Sequence, residues 1–160
     1  MSGSQDVLAD LLALLPAEGT TVTRFAQPGR DLALAIAAGA SMRLRGAADL
    51  SGALRIETDL PAWASIEACL PAGAPGAACR IEAEALARRD MMIEVFVRTF
   101  ASGGGHGDSA PLRQPVGRPG TAPLVLPVPL APEGALQRLV LLFPRPPLSF
   151  LLTRLSLTAA

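Results

Sequence analysis

The sequence predicts an antiparallel β-sandwich with a short helix at its N-terminus. Three observations carry that expectation. Through most of residues 54–100 the apolar residues recur at every second position, the period that lines one face of a strand. Gly and Pro clusters cut the chain into short segments, and about eight or nine strands separated by turns is the pattern of a two-sheet all-β domain. Only residues 5–15 repeat with a helical period. At 160 residues the chain suits one domain with a real core. The expected division is a helical arm over 1–17 and a sandwich over 18–160.

The helix is expected over 5–15. Ser4 can cap it, Asp6 suits its first turn and Pro16 ends it,. Leu8, Leu11, Leu12 and Leu15 form an apolar stripe that either packs on the sandwich or docks a partner. Residues 20–26 are rich in β-branched side chains and read as a strand. Gln27-Pro-Gly-Arg30 reads as a turn,. Residues 31–40 have helical propensity, yet a short strand between turns fits the all-β context. In 41–45, Met42 and Leu44 point inward against Arg43 and Arg45. Gly46-Ala-Ala-Asp-Leu-Ser-Gly52 is a loop, and 53–60 sets Leu54 and Ile56 against Arg55 and Glu57.

In 60–70, Ala62, Ala64, Ile66, Ala68 and Leu70 form one set, with Trp63, Ser65, Glu67 and Cys69 on the wetter side. Pro71-Ala-Gly-Ala-Pro-Gly76 is a turn. In 80–87, Ile81, Ala83 and Ala85 alternate with Glu82 and Glu84. In 92–100, Ile93, Val95, Val97 and Thr99 alternate with Glu94, Phe96 and Arg98. Pairing Arg88 with Met92 around a three-residue loop sets Ala85 against Val95 and Glu84 against Phe96. It also makes Glu82–Arg98 a cross-strand ion pair. The 101–120 stretch, rich in Gly, Pro and Ser, is expected as a long loop. Pro123, Pro127 and Pro129 confine 121–130 to a sheet edge. Residues 136–143 read as a buried strand, Pro144-Arg-Pro-Pro147 as a turn, and 148–158 as the closing strand. Cys69 and Cys79 flank a turn, but parity points them to opposite faces, so free thiols are expected.

Composition excludes several functions. Net charge is zero and no basic run occurs, which disfavours a nucleic-acid partner. No apolar run approaches the ~20 residues of a membrane-spanning helix. The chain has no Lys, no Asn and no Tyr, and all 14 basic residues are Arg. Abundant Ala, Gly and Pro alongside suggest a GC-rich bacterial gene. The opening Met1-Ser-Gly-Ser-Gln-Asp6 lacks a positive segment before its apolar stretch, so a cytoplasmic protein is expected.

Catalytic motifs fare poorly. The only His, His106, sits in Ser102-Gly-Gly-Gly-His-Gly-Asp108. A phosphate-cradling loop there lacks its Lys, and one His with two distant Cys does not make a zinc site. Gly107-Asp-Ser-Ala110 resembles a hydrolase nucleophile, but that chemistry needs a His held apart in sequence and a prepared oxyanion hole. Glu67, Glu82, Glu84 and Glu94 offer carboxylates for glycoside cleavage. Arg43, Arg45, Arg55 and Arg98 share their outward parity, which is the pattern of a solvated face. No cofactor and no metal are expected, and the chain is expected not to be an enzyme.

The Trp-containing strand, the alternating pair ending Ile93-Glu-Val-Phe-Val-Arg98, the long loop and the final Leu152-Thr-Arg-Leu-Ser-Leu157 resemble galactose-binding-like jelly rolls. Many carbohydrate-binding modules share that fold, and the resemblance spans about residues 20–158. It implies a jelly-roll sandwich and a non-catalytic module of carbohydrate-binding type, accessory to glycan recognition or synthesis. The family's last strand often begins with an acidic residue near an ion site, where this chain has Leu152-Thr153-Arg154. The expected ligand face carries Trp63, Glu82, Glu84, Glu94, Phe96 and Arg98. There Trp63 either stacks on a sugar or anchors an interface, or lies buried beneath a loop. The alternative function is a structural or assembly module, a homo-oligomer joined through Leu8, Leu11, Leu12 and Leu15.

Overall fold

The computed structural model describes residues 3–117 and 120–160. In chain order its elements are β1 (Ser4–Asp6), α1 (Val7–Leu14), β2 (Thr20–Val22), β3 (Phe25–Gly29), β4 (Leu32–Ile36), β5 (Met42–Gly46) and β6 (Leu54–Thr58). There follow β7 (Trp63–Cys69), β8 (Ala78–Leu86), β9 (Met91–Phe100), β10 (His106–Asp108), β11 (Leu112–Val116), β12 (Leu124–Pro127), β13 (Leu136–Pro144) and β14 (Ser149–Ala159). They form two seven-stranded antiparallel sheets. The first runs β12-β8-β14-β6-β5-β2, with β1 also on β14. The second runs β10-β9-β13-β7-β4-β3, with β11 also on β9. This is the expected β-sandwich with one short helix.

Alternation places the core between the sheets. Ile81, Ala83, Ala85, Leu155 and Leu157 face it from the first sheet, and Ile93, Val95, Val97, Leu139 and Leu141 from the second. Phe143 of β13 and Phe150 of β14 cross the gap, with ring centroids 5.2 Å apart and planes tilted by 53°. Helix α1 closes one end. Asp6, rather than Ser4, is its N-cap, and its carboxylate accepts the Ala9 N–H at 3.0 Å. Ser4 belongs instead to β1. Leu8 and Leu11 are buried in the chain's own core, and Leu12 and Leu15 pack against it. The stripe expected to join copies is therefore largely covered within one chain.

The proposed β8–β9 hairpin is overturned. β8 lies in the first sheet and β9 in the second, so residues 87–90 cross between sheets. Ala85 and Val95 both face the core, but from opposite sides. Glu82 stands opposite Ser156, while Arg98 stands opposite Arg138 and Asp108, so no Glu82–Arg98 pair exists. Alternation alone cannot separate a hairpin from a crossover, because both put the same side chains inward. The more apolar β13 and β14 take the central positions beside these strands.

Three local expectations also change. Residues 101–120 are not one long loop, since β10 and β11 pair in turn along β9. The Gln27-Pro-Gly segment continues β3 through an irregularity between Ala26 and Gly29. Residues 20–26 divide into β2 and β3, in different sheets. The Pro-rich β12 does lie at an edge, pairing with β8 alone. Cys69 and Cys79 are free, with Cys79 fully buried.

Candidate functional site

The second sheet's outer face carries the site. Even-numbered residues of β9 and β13 and odd-numbered residues of β7 and β3 point there, away from the core residues between them. A groove of about 390 Å³ crosses this face. Its apolar walls are Phe25 of β3 with Phe100 and Leu136 at the ends of β9 and β13. Phe25 is 59% exposed, on the edge strand of the sheet. Phe100 carries the His106 ring against it, with centroids 5.9 Å apart. Sheet twist, roughly 20–25° per strand, curls one pair of diagonal corners toward a face, which accounts for distant corners sharing a groove.

The floor is polar and largely buried. Glu67 of β7 keeps only 9% of its side chain exposed and lies between two guanidinium groups. Arg98 Nη1 is 3.7 Å from one carboxylate oxygen and Arg138 Nη1 is 3.7 Å from the other. Arg98 lies over the Phe96 ring at 5.5 Å and donates twice to Asp108, from Nε at 2.8 Å and Nη2 at 3.0 Å. Those hydrogen bonds, with the Arg98 charge, hold the Asp108 carboxyl below its ordinary pKa; they also raise the pKa of Arg98. Arg138 differs, since its Nε is buried with no hydrogen-bond partner. Buried donors of this kind are normally satisfied; this one stays unmet within the fold.

Asp108 stands beside the floor, paired with Arg98. Asp108 is kept ionised by Arg98 and is a poor general acid at neutral pH,. The walls offer apolar, partly aromatic contact and the floor offers charged groups,. Among the described residues, no three His, Cys, Asp or Glu side chains are grouped to hold a metal ion. No helix among them is long and apolar enough to cross a membrane.

Comparison with solved structures bears on the fold. The C-terminal family 22 carbohydrate-binding module of Clostridium thermocellum Xyn10B superposes with a TM-score of 0.53 at 17% identity, covering 79% of this chain and 85% of that one. A xylan-binding domain of the same family 22 gives 0.51 at 15% identity, covering 79% and 86%. This chain has the fold seen in carbohydrate-binding modules. No protein-family model matches the sequence, and no curated protein matches it.

Within that fold the six expected face residues separate. Trp63, Glu94, Phe96 and Arg98 share the second sheet's outer face. Glu82 and Glu84 lie on the first sheet's outer face, on the far side of the molecule. Glu82 is ion-paired with Arg80 at 3.3 Å and Arg154 at 3.1 Å, and Glu84 accepts the Thr153 hydroxyl at 3.2 Å. Glu94 pairs with Arg113 at 2.8 Å. Phe96 is buried beneath Arg98, leaving no open ring face. Trp63 is 36% exposed at the start of β7, next to Pro144 and beyond the groove's lining.

Of the groove, Arg98 was expected, and Glu67 was weighed only as a possible catalytic carboxylate. Phe25, Gln27, Phe100, Leu136 and Arg138 were missed. Two of them left a signal. Phe100 continues the outward parity of Phe96 and Arg98, and Arg138 is a lone charge in a strongly apolar strand, a position that asks for a buried partner.

Proposed function

We propose that this protein is a non-catalytic carbohydrate-binding module whose glycan lies in the groove on the second sheet's outer face. The single observation that carries the proposal is the groove's construction. Phe25 and Phe100 wall it with aromatic rings, and Glu67, Arg98 and Arg138 give it a charged floor. The fold supports it, since family 22 modules share the architecture. For the Xyn10B module, amino acids of its cleft have a role in ligand binding. A place as an accessory to glycan recognition or synthesis follows from a module that binds without cleaving.

Trp63 extends the same face. It lies four positions before Glu67 on β7, roughly 13 Å along the strand, so a ligand seated on the Glu67 floor reaches it only as a longer chain. A glycan array followed by titration calorimetry tests the assignment. A bound glycan whose affinity falls about tenfold, ~1.4 kcal/mol, in Phe25→Ala and in Phe100→Ala supports it. A bound glycan indifferent to both substitutions, or no bound glycan, removes it.

A further inference from the structure

A second and larger groove, of about 880 Å³, lies on the other side of the molecule, at one end of the first sheet's outer face. Its floor is the outward side of paired strands, with Leu151 of β14 opposite Leu86 of β8. Leu60 and Leu148 form the lip, 59% and 60% exposed. Folding leaves more than half of each of these side chains in water. Leu60 also sits in the left-handed region at φ 60°, which a branched side chain rarely adopts. An exposed apolar side chain on strained backbone is costly twice over, and presentation to a partner accounts for both costs.

The charged side chains lining this groove have one sign. Arg55, Arg88 and Arg89 line it, and among the described residues no carboxylate does. Two of the arginines are fixed in place. Arg55 donates to the Ser149 hydroxyl at 3.1 Å and also meets Asp49 at 3.5 Å. Arg89 donates to the Arg145 carbonyl at 3.1 Å, tying the 87–90 crossover to the turn before β14. Arg88 is exposed and has no hydrogen bond or ion pair among the described residues. Branched aliphatic knobs do not offer the flat surface that a sugar ring stacks on. They fit aliphatic side chains, and the surrounding arginines fit carboxylates.

We infer that this groove docks an acidic peptide segment that alternates carboxylate and aliphatic side chains. It lies opposite the glycan groove, so the two can be filled together, and it does not depend on the glycan assignment.

The test is fluorescence anisotropy of the full chain with three labelled probes: an alternating Leu-Glu octapeptide, an alternating Leu-Lys octapeptide and a glutamate octamer. The Leu-Glu probe is expected to bind saturably, at least tenfold more tightly than either of the others. Arg88→Glu and Leu148→Ser, both at exposed positions, should each weaken it about tenfold. Phe25→Ala and Phe100→Ala should leave it unchanged. Failure of the Leu-Glu probe to bind overturns the inference. Equal binding of the glutamate octamer reduces the groove to a non-specific cationic patch and also overturns it, as does loss of binding in the Phe variants, which places the peptide in the other groove.

Discussion

Arg98 and Glu67 meet at 3.7 Å although a whole strand, β13, runs between the strands that carry them. Arg138, on that intervening strand, holds the second oxygen of the same carboxylate at 3.7 Å. The three charges form one unit on the groove floor. Glu67 is buried, so replacing it with Gln leaves Arg138 without a counter-charge, while Arg98 keeps Asp108. Glu67→Gln is expected to cost about 1–3 kcal/mol in urea denaturation. The Glu67→Gln, Arg138→Met double variant should cost less than the sum of the two singles. Strict additivity shows that the pair is not coupled.

Trp63 should separate long from short ligands. Trp63→Ala is expected to weaken a hexasaccharide several-fold and to leave a disaccharide of the same sugar unchanged. Phe25→Ala should weaken both. Calorimetry on the two lengths decides it, and an equal loss for both lengths in Trp63→Ala puts Trp63 inside the primary groove.

The Arg98–Asp108 contact should register in acid. The folded-state pKa of Asp108 lies below the ordinary value, so its stabilisation is fully present above about pH 4. It is lost as the pH falls through the lowered value. Arg98 and Asp108 side chains remain 25% and 37% exposed, which keeps the contribution under about 1 kcal/mol. Asp108→Asn should therefore be less stable than the parent at neutral pH and indistinguishable from it in strong acid. A difference that persists unchanged into strong acid rules out this origin.

The two thiols should behave differently. Burial pushes the Cys79 pKa up to about 11. Cys69 is also raised, by burial first and then by the charge and hydrogen bond of Asp31. In the folded protein at neutral pH a thiol reagent is expected to modify Cys69 slowly and Cys79 only on unfolding. Prompt reaction of two equivalents contradicts the burial of Cys79.

Phe143 and Phe150 join the two sheets through one tilted ring pair. Both are buried, and each Phe→Ala change should cost about 3–5 kcal/mol. The double variant should fall short of the sum, because the two changes open one shared cavity. Thermal and chemical denaturation measure this, and a loss under about 1 kcal/mol for either single variant shows that the gap is filled by repacking.

How much of the site was legible follows from the same residues. Phe96 and Arg98 were correctly placed on one outer face, since parity decides facing. Glu82 and Glu84 were placed with them only because β8 and β9 are adjacent in sequence. Phe25 and Phe100 are 75 positions apart, and no local pattern announces that a twisted sheet brings them to one groove. Arg138 lies in a stretch read as a buried strand, and which carboxylate it meets depends on the pairing of β13 with β7.

By itself the sequence determined the sandwich, most of its strands, the N-terminal helix, the inward and outward sets of the strands between residues 41 and 100, the edge position of the Pro-rich segment and the free cysteines. These depend on a period of two, on caps and turns, and on the missing N–H of proline, all readable within a few residues. Only the tertiary structure decided which strands pair, that residues 87–90 cross between sheets, and which charges meet on the groove floor. Every core-facing strand presents a similar apolar row, so local chemistry leaves the partners nearly equivalent. The choice among them is made by packing the whole core at once.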